Sequence, residues 1–470
     1  MSLKKYALTT FSLTMITVGS VDSIRNLPAT ALFGSQLIAF FILGAFFFLI
    51  PTALVSAELS SGWAKQGGVY IWVKEAFGKK IGFLAIWLQW IENVIWYPTI
   101  LSFVAGTMGY LIDPGLAQNP YFLWVVIVGS FWGATAVNLC GMRSSALFST
   151  ICTLSGLLLP MTLIIGLGAM WLFNDHPLQV TFDLPSILPH WQDSSMWVSL
   201  TAIILSFCGI EIATVHANDV ENPQRAFPRA LIYSVVIILS TLILGSLSIA
   251  MVLPQHDINL VAGIMQAFDA FFAHYHLLWM MPLVALMLVM GGFGGVSNWI
   301  IAPTKGLLVA AVDGNLPLFF QRSNQRGAPV VMLVGQAMIV TLLSTLFLFM
   351  PSVNGSYWLL TALAAQLYMF MYLLMFLAAI KLRVTMPDHP RAFRIPGGLT
   401  GLCVVSGVGM MGVITTLIVS FMPPDGINVG SVGRYESMLF IGLVLMCAPP
   451  FITHWLRTRR EQGAPLAIEA

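Results

Sequence analysis

The sequence predicts an all-α integral membrane protein with twelve transmembrane helices, arranged as two inverted five-helix repeats followed by two further helices. Three observations predict this. Hydrophobic residues fill 58% of the 470 positions and charged residues only 9%, with a mean hydropathy of +0.87, whereas a soluble domain carries about 25% charged residues. The apolar runs are continuous and long enough to cross a bilayer as helices, without the alternation of barrel strands. Threading the chain through twelve spans also places almost every Lys and Arg on one side of the membrane.

In order, the spans run approximately over 7–33, 36–61, 82–110, 121–141, 145–173, 196–217, 229–253, 277–312, 329–350, 356–382, 400–422 and 435–456. The first has the outline of a signal peptide, with Lys4 and Lys5 ahead of an apolar run and Ala29-Thr30-Ala31 after it. Asp22 and Arg25 interrupt its core, so it is read as a retained span. Residues 62–81 read as an amphipathic helix lying at the membrane interface. The eighth span is too long to be lipid-buried throughout and is expected to continue as a helix beyond the bilayer. Residues 1–175 form the first repeat, 196–383 the second, 400–456 the additional helices and 457–470 a cytoplasmic tail, all within a single transmembrane domain. The repeat is weak but visible: interruptions near Gly19 and Gly209 lie about 190 residues apart, and an odd number of spans per repeat inverts one copy against the other. With both termini in the cytoplasm, only Arg434 lies outside, and Arg25 lies within a span. The outer loops 174–195 and 254–276 carry Asp, His and Pro but no Lys or Arg.

Composition also excludes function classes. A net charge of +2 is too small to suggest a nucleic-acid partner. The five cysteines, Cys140, Cys152, Cys208, Cys403 and Cys447, all fall in apolar runs without a C-x-x-C pair. Neither a metal site nor a disulfide framework is indicated, and packing is their expected role. Phosphate-loop, zinc-protease and nucleophile-elbow patterns are absent. No enzyme activity, cofactor or metal is expected.

The candidate residues cluster at the two interruptions. Ser206-Phe207-Cys208-Gly209-Ile210-Glu211 places a glycine and a carboxylate near mid-depth of span 6, and Thr17-Val18-Gly19-Ser20-Val21-Asp22-Ser23-Ile24-Arg25 interrupts span 1 in a similar way. A charge at mid-depth costs about 2.5–3.5 kcal/mol on insertion scales, and glycine lets the backbone leave helical geometry. Two broken spans in corresponding positions of two halves point to a transporter's binding site. Around Gly19, Ser20 and Ser23, a half-helix N-terminus offers free N–H groups to a substrate carboxylate. The carbonyls around Cys208, Gly209 and Ile210 suit an ammonium. The alternative is a glycine kink repaired by neighbours. Thr17 and Phe207, within the two stretches, are counted with the substrate-binding residues.

Several of these residues keep two readings. Glu211 is either a gating or proton-linked carboxylate or a cap for free amides. Asp22 and Arg25, spaced i,i+3, either pair with each other or contact a substrate amine and carboxylate. Glu92, Asn93 and Trp96 share one face of span 3, where Glu92 meets either a polar or cationic substrate group or a neighbouring helix. His216, toward the inner end of span 6, either titrates near neutrality or is a plain hydrogen-bonded histidine. Glycines 291–295 read as close-packing positions, with Asn298 and Trp299 beside the cavity, and Glu58 as an interface or gate contact.

At this point the residues resemble a known family. Glu58–Gly82, Gly209-Ile210-Glu211 and Arg391–Gly398 (RAFRIPGG) are similar to the amino acid–polyamine–organocation (APC) transporter superfamily. Ala217–Pro223, Ser248–Pro254 with Ile258-Asn259-Leu260, and Phe421–Asp425 narrow the likeness to its bacterial glutamate/GABA antiporter branch. The resemblance implies a LeuT-like fold, alternating access and exchange of an external amino acid for an internal one. By motif position, the carboxylate-binding pattern falls on Gly19–Ser23. The amine-binding carbonyls and gating glutamate fall on Cys208–Glu211, and the span 3 asparagine of arginine/agmatine antiporters falls on Asn93. Two departures stand out. Val21-Asp22-Ser23 replaces the Gly-Ser-Gly of relatives, and an acid there repels a substrate carboxylate unless Arg25 or a proton neutralises it. Span 5 has no lysine between Leu147 and Trp171, so the ammonium that replaces sodium in some relatives has no counterpart.

The expected function is therefore a secondary active amino acid antiporter of the bacterial inner membrane, multi-pass, with both termini cytoplasmic. Its expected partners are an amino acid, a counter-substrate, protons and membrane lipid, without nucleic acid, in a monomer or homodimer. The alternatives are a cationic amino acid or polyamine exchanger, or a sensor that binds an amino acid without moving it.

Overall fold

A bilayer offers no partners for backbone N–H and C=O groups, so its spanning segments must satisfy them internally, as helices do. The computed structural model describes residues 9–63, 65, 67–140, 152, 154–188, 197–213 and 223–463. Among these the secondary structure is helical, apart from an isolated bridge between Ser323 and Pro329. The first half contains α1 (Thr10–Val21), α2 (Leu27–Ala31), α3 (Gly34–Gly62), α4 (Val69–Phe77), α5 (Lys79–Ile112), α6 (Pro120–Leu139) and α7 (Ser155–Phe173). The second half contains α8 (Ser199–Ser206), α9 (Ile210–Ala213), α10 (Pro223–Val252), α11 (Gly263–His274), α12 (Met281–Ala310), α13 (Val330–Phe349) and α14 (Val353–Thr385). Helices α15 (Gly398–Val419) and α16 (Val432–Gly463) close the chain.

Ten of these helices are long and apolar enough to cross a membrane: α3, α5, α6, α7, α10 and α12 to α16. The two expected spans that do not qualify are the first and the sixth. Each is divided into short pieces, α1 with α2 and α8 with α9. Burial sorts the bundle into centre and rim. In α5 and α14, 72% of the membrane-length window is buried, against 11% in α16, which turns its apolar side chains outward. The centre is therefore α5 and α14, with the divided helices beside them.

Residues 62–81 differ from the expected surface helix. In α4, Val69, Tyr70, Ile71, Trp72, Val73 and Ala76 are buried, and the helix packs on α5 and α14. Gly78, at φ +87°, turns the chain between α4 and α5. Gly82 lets the two helices touch, because a Cβ there would lie 2.9 Å from the Cα of Lys74. The Lys74 ammonium pairs with Asp313, just past α12, and the Tyr70 hydroxyl donates to the same carboxylate at 2.6 Å. The apolar face that suggested a membrane surface is thus spent on the bundle.

Two contacts fix how the long helices approach one another. Gly156 of α7 meets Gly291 of α12 so closely that a Cβ on either would collide with the Cα of the other. This is the small-residue packing expected of the 291–295 cluster. At the ends of α3 and α14, buried Glu58 accepts from Arg383 Nη2 at 2.5 Å and from the backbone N–H of Ile395 at 2.8 Å. Arg391 Nε lies 3.6 Å from its other oxygen. Trp63 stacks on His389 with ring centroids 4.4 Å apart. The RAFRIPGG segment is thereby clamped beneath the bundle.

Gly291→Leu should separate α7 from α12 and cost about 1–3 kcal/mol or more of stability by overpacking. A lowered melting temperature in detergent checks this, with Gly129→Ala, where a Cβ meets nothing within 4 Å, as the control. Glu58→Gln should leave two buried guanidinium groups uncompensated, a change that costs about 3–5 kcal/mol in comparable buried pairs. The same melting measurement tests it, and an unchanged midpoint would show that the cluster is not fully desolvated.

Candidate functional site

The chain leaves helical geometry in α1 at Asp22 and Ser23, both extended (ψ 131° and 119°), and resumes as a 3-10 turn over Ile24–Asn26 before α2. The break falls three residues after the expected position, and Gly19 is helical. The last regular bond of α1 is Asp22 N–H to Val18 O, 2.8 Å, so the carbonyls of Gly19, Ser20 and Val21 end the helix. Because the helix stops between them, Asp22 and Arg25 do not share a helical face and do not pair. This excludes the i,i+3 ion pair considered from the sequence. Asp22 Oδ2 instead accepts from the Thr241 hydroxyl of α10 at 2.8 Å. Arg25 Nη1 donates to Thr99 of α5 at 2.7 Å and to the Tyr357 hydroxyl of α14 at 3.4 Å. Its guanidinium lies 5.3 Å from the centroid of the Trp96 ring, a cation–π contact. Both charged residues are buried, and Asp22 Oδ1 and Arg25 Nε meet no protein partner.

The second break lies between α8 and α9, at Phe207-Cys208-Gly209. Gly209 adopts φ +101°, which an L side chain rarely tolerates. A Cβ there would also stand 3.0 Å from the carbonyl oxygen of Ser20. The two broken helices therefore touch at their breaks. Gly209 N–H donates to the Tyr372 hydroxyl at 3.1 Å. Phe207 packs edge-on against Phe41 of α3, ring centroids 5.7 Å apart. Glu211 follows in α9, buried and multiply held. Its Oε1 accepts from Gln89 of α5 at 3.0 Å and from Tyr368 at 2.8 Å, and its Oε2 from Tyr372 at 2.5 Å. Phe48, in a π-helical turn of α3, packs perpendicular to Tyr372 at 4.9 Å. His216 and Ala217–Asn222 lie outside the described residues.

A cavity of about 180 Å³ opens beside the two breaks. Of the residues proposed from the sequence, Gly19, Ser20, Asp22, Ser23, Arg25, Glu92, Asn93, Trp96 and Cys208 line it. Thr17, Phe207, Gly209, Ile210 and Glu211 do not. The Thr17 hydroxyl is satisfied within its own helix by Leu13 O at 2.8 Å, and Glu211 sits behind the wall. Glu92 is buried and accepts from Asn93 Nδ2 at 3.2 Å. Trp96 and Trp299 form one side, ring centroids 5.9 Å apart. Tyr368, which bounds the cavity and holds Glu211, was not anticipated, nor was Thr241 as the partner of Asp22. A tyrosine in an apolar run reads as core, and a threonine 219 residues away carries no local signal. The site thus combines one guanidinium, two carboxylates and the ends of two interrupted helices. Among the described residues, no three His, Cys, Asp or Glu side chains group as metal ligands.

Comparisons with known proteins show the family. The family model for amino acid permeases matches residues 8–446. An uncharacterized transporter of Legionella pneumophila is 44% identical, over 96% of this chain and 97% of its own. A glutamate/gamma-aminobutyrate antiporter of Lactococcus lactis is 30% identical, over 98% of this chain and 92% of its own. A probable agmatine/putrescine antiporter of the same species is 22% identical over 84% of each chain. The match across nearly all of the sequence identifies a multi-pass transport protein: the chain belongs to the amino acid permease family.

Proposed function

We propose that this chain is an amino acid antiporter of the glutamate/GABA exchanger type, working by alternating access. The observation that carries the reading is the cavity at the two breaks, where Arg25, Asp22 and Glu92 converge on one small volume. A zwitterion fits such a set: its carboxylate toward Arg25 and its ammonium toward Asp22, Glu92 or the carbonyl end of α1. In this reading α1 with α2, and α8 with α9, complete twelve spans in two inverted five-helix repeats of LeuT-like fold. Both termini lie in the cytoplasm of a bacterial inner-membrane protein, as the distribution of Lys and Arg supports. Glu211 acts through position: it holds the second break against α14, and protonating it removes an acceptor from Tyr368 and Tyr372.

A second reading is favoured by a specific imbalance. Two carboxylates and one guanidinium line the cavity, which suits a substrate carrying an extra positive charge, such as a cationic amino acid or a polyamine. A sensor would bind the same ligands without moving them.

Uptake into proteoliposomes, with labelled amino acids and amines and with or without internal substrate, separates these. Uptake that requires internal substrate is expected. Uptake of amines alone would select the second reading, and binding without uptake the sensor. Arg25→Gln removes a charged hydrogen-bond donor worth about 1.5–3 kcal/mol, so KM for a carboxylate-bearing substrate should rise about tenfold or more while KM for a diamine changes little. Equal effects on both would remove Arg25 from carboxylate recognition. Glu211→Gln should slow exchange at least about tenfold and flatten its pH dependence, with substrate affinity largely kept. An unaltered rate and pH profile would show that Glu211 only caps the break.

A further inference from the structure

Away from the cavity, two histidines from distant segments meet at one end of the bundle. His176 follows α7 and His274 ends α11, yet their Nε2 atoms stand 3.1 Å apart. Their ring centroids are 4.2 Å apart, and the two nitrogens stand within hydrogen-bond distance of each other. Two nitrogens on a tetrahedral zinc ion, each about 2.0–2.1 Å from the metal, stand about 3.3 Å from each other. The observed pair is within a few tenths of an ångström of that separation.

The surroundings hold both rings in place. Trp171 of α7 packs against His176 and His274, at ring-centroid distances of 4.7 and 4.9 Å. The indole N–H of Trp171 donates to Pro177 O at 3.2 Å, and His176 N–H donates to Trp171 O at 3.3 Å. Tyr275 adds an edge contact to His274 at 5.0 Å. Among the described residues, the two non-glycine positions with positive φ are Asp175 and His276, at 51° and 59°. They flank this pair, each two residues past the end of its helix, α7 or α11. Both loops lack Lys and Arg, so no fixed cation opposes a metal ion, and the exposed side leaves room for water as the remaining ligands.

We propose that His176 and His274 form a two-histidine site for a transition-metal cation of the zinc class. Imidazole nitrogen suits this class rather than magnesium or calcium, which prefer oxygen ligands. With two protein ligands the site is weaker than a four-ligand structural zinc centre. Its consequence follows from what it joins. Helix α11 rests on α2, the second half of the broken first helix, where a Cβ on Gly263 would lie 2.9 Å from the Pro28 ring. A metal bridge from α11 to the loop after α7 restrains that contact. If the exchange reading holds, the bridge slows exchange from the side that bears the histidines.

Titration calorimetry of the full-length, tag-free protein in detergent, with zinc chloride and with magnesium chloride, tests the site without any transport measurement. Zinc is expected to bind the wild type. Affinity should fall at least about tenfold in His176→Ala and in His274→Ala and be lost at this site in the double variant, with melting temperatures kept. Failure of the wild type to bind zinc, equal binding by wild type and double variant, or equal binding of magnesium would each overturn the proposal. Zinc added to either face of proteoliposomes then reads the restraint. Inhibition from one face that disappears in the double variant is expected, and inhibition that survives in it would overturn the coupling while leaving the binding result to stand by itself.

Discussion

One hydroxyl holds the centre of this molecule. Tyr372 accepts from the backbone N–H of Gly209 and donates to Glu211 two residues later, at 3.1 and 2.5 Å. A helix that stops inside a membrane leaves backbone groups that lipid cannot satisfy. Here a side chain from α14 takes one of them and at the same time binds the carboxylate that follows the break. Tyr368, one turn earlier on the same helix face, supplies a second donor to Glu211 at 2.8 Å. Gly209 is therefore fixed in its left-handed conformation against Ser20 of the other broken helix, and the cavity wall depends on that contact.

The buried charges are handled in two different ways, and the difference separates scaffold from site. Glu58 meets Arg383 and Arg391 directly, so its charge faces opposite charge, with one guanidinium in excess. At the cavity, Asp22 rests on a threonine hydroxyl, and Arg25 on a threonine, a tyrosine and an indole face. Neutral partners hold these groups in place without neutralising them. Their electrostatic demand stays open to whatever enters the cavity, in a region where screening by water is weak.

The spans were legible because a bilayer imposes length and apolarity on them directly. So were the interruptions, since a glycine and a carboxylate inside an apolar run conflict with a plain spanning helix. What the sequence could not reveal depends on three-dimensional neighbours. Helical spacing allows an Asp22–Arg25 pair as one of two readings, and that spacing loses its meaning where the backbone is extended at Asp22 and Ser23. The break came later than Gly19 because a glycine permits a departure from helix without dictating where it occurs. Residues 62–81 looked like a surface helix because amphipathicity gives one face to something apolar, and lipid and protein look alike in one dimension. Tyr368 and Tyr372 were hidden for the same reason, as two aromatics in a run of apolar residues. His176 and His274, 98 positions apart, leave no trace in local pattern.

Helix α14 links these parts. Tyr357 near its start reaches Arg25, Tyr368 and Tyr372 in its middle hold Glu211, and Arg383 near its end binds Glu58. From Tyr357 to Arg383 the helix rises about 39 Å at 1.5 Å per residue, the depth of a bilayer with its headgroups. A single long element thus touches the divided pair α1 and α2, the divided pair α8 and α9, and the clamp at the far end. The divided helices meet it through hydroxyl contacts, several of them single hydrogen bonds. The clamp meets it through a buried ion pair. Contacts of the first kind, most of them to a charged group, contribute up to about 1.5–3 kcal/mol each and can exchange partners one at a time, whereas breaking the second leaves an uncompensated buried charge at about 3–5 kcal/mol. Relative motion is therefore cheapest at the breaks and most costly at the clamp, which makes α14 the frame against which the cavity changes shape.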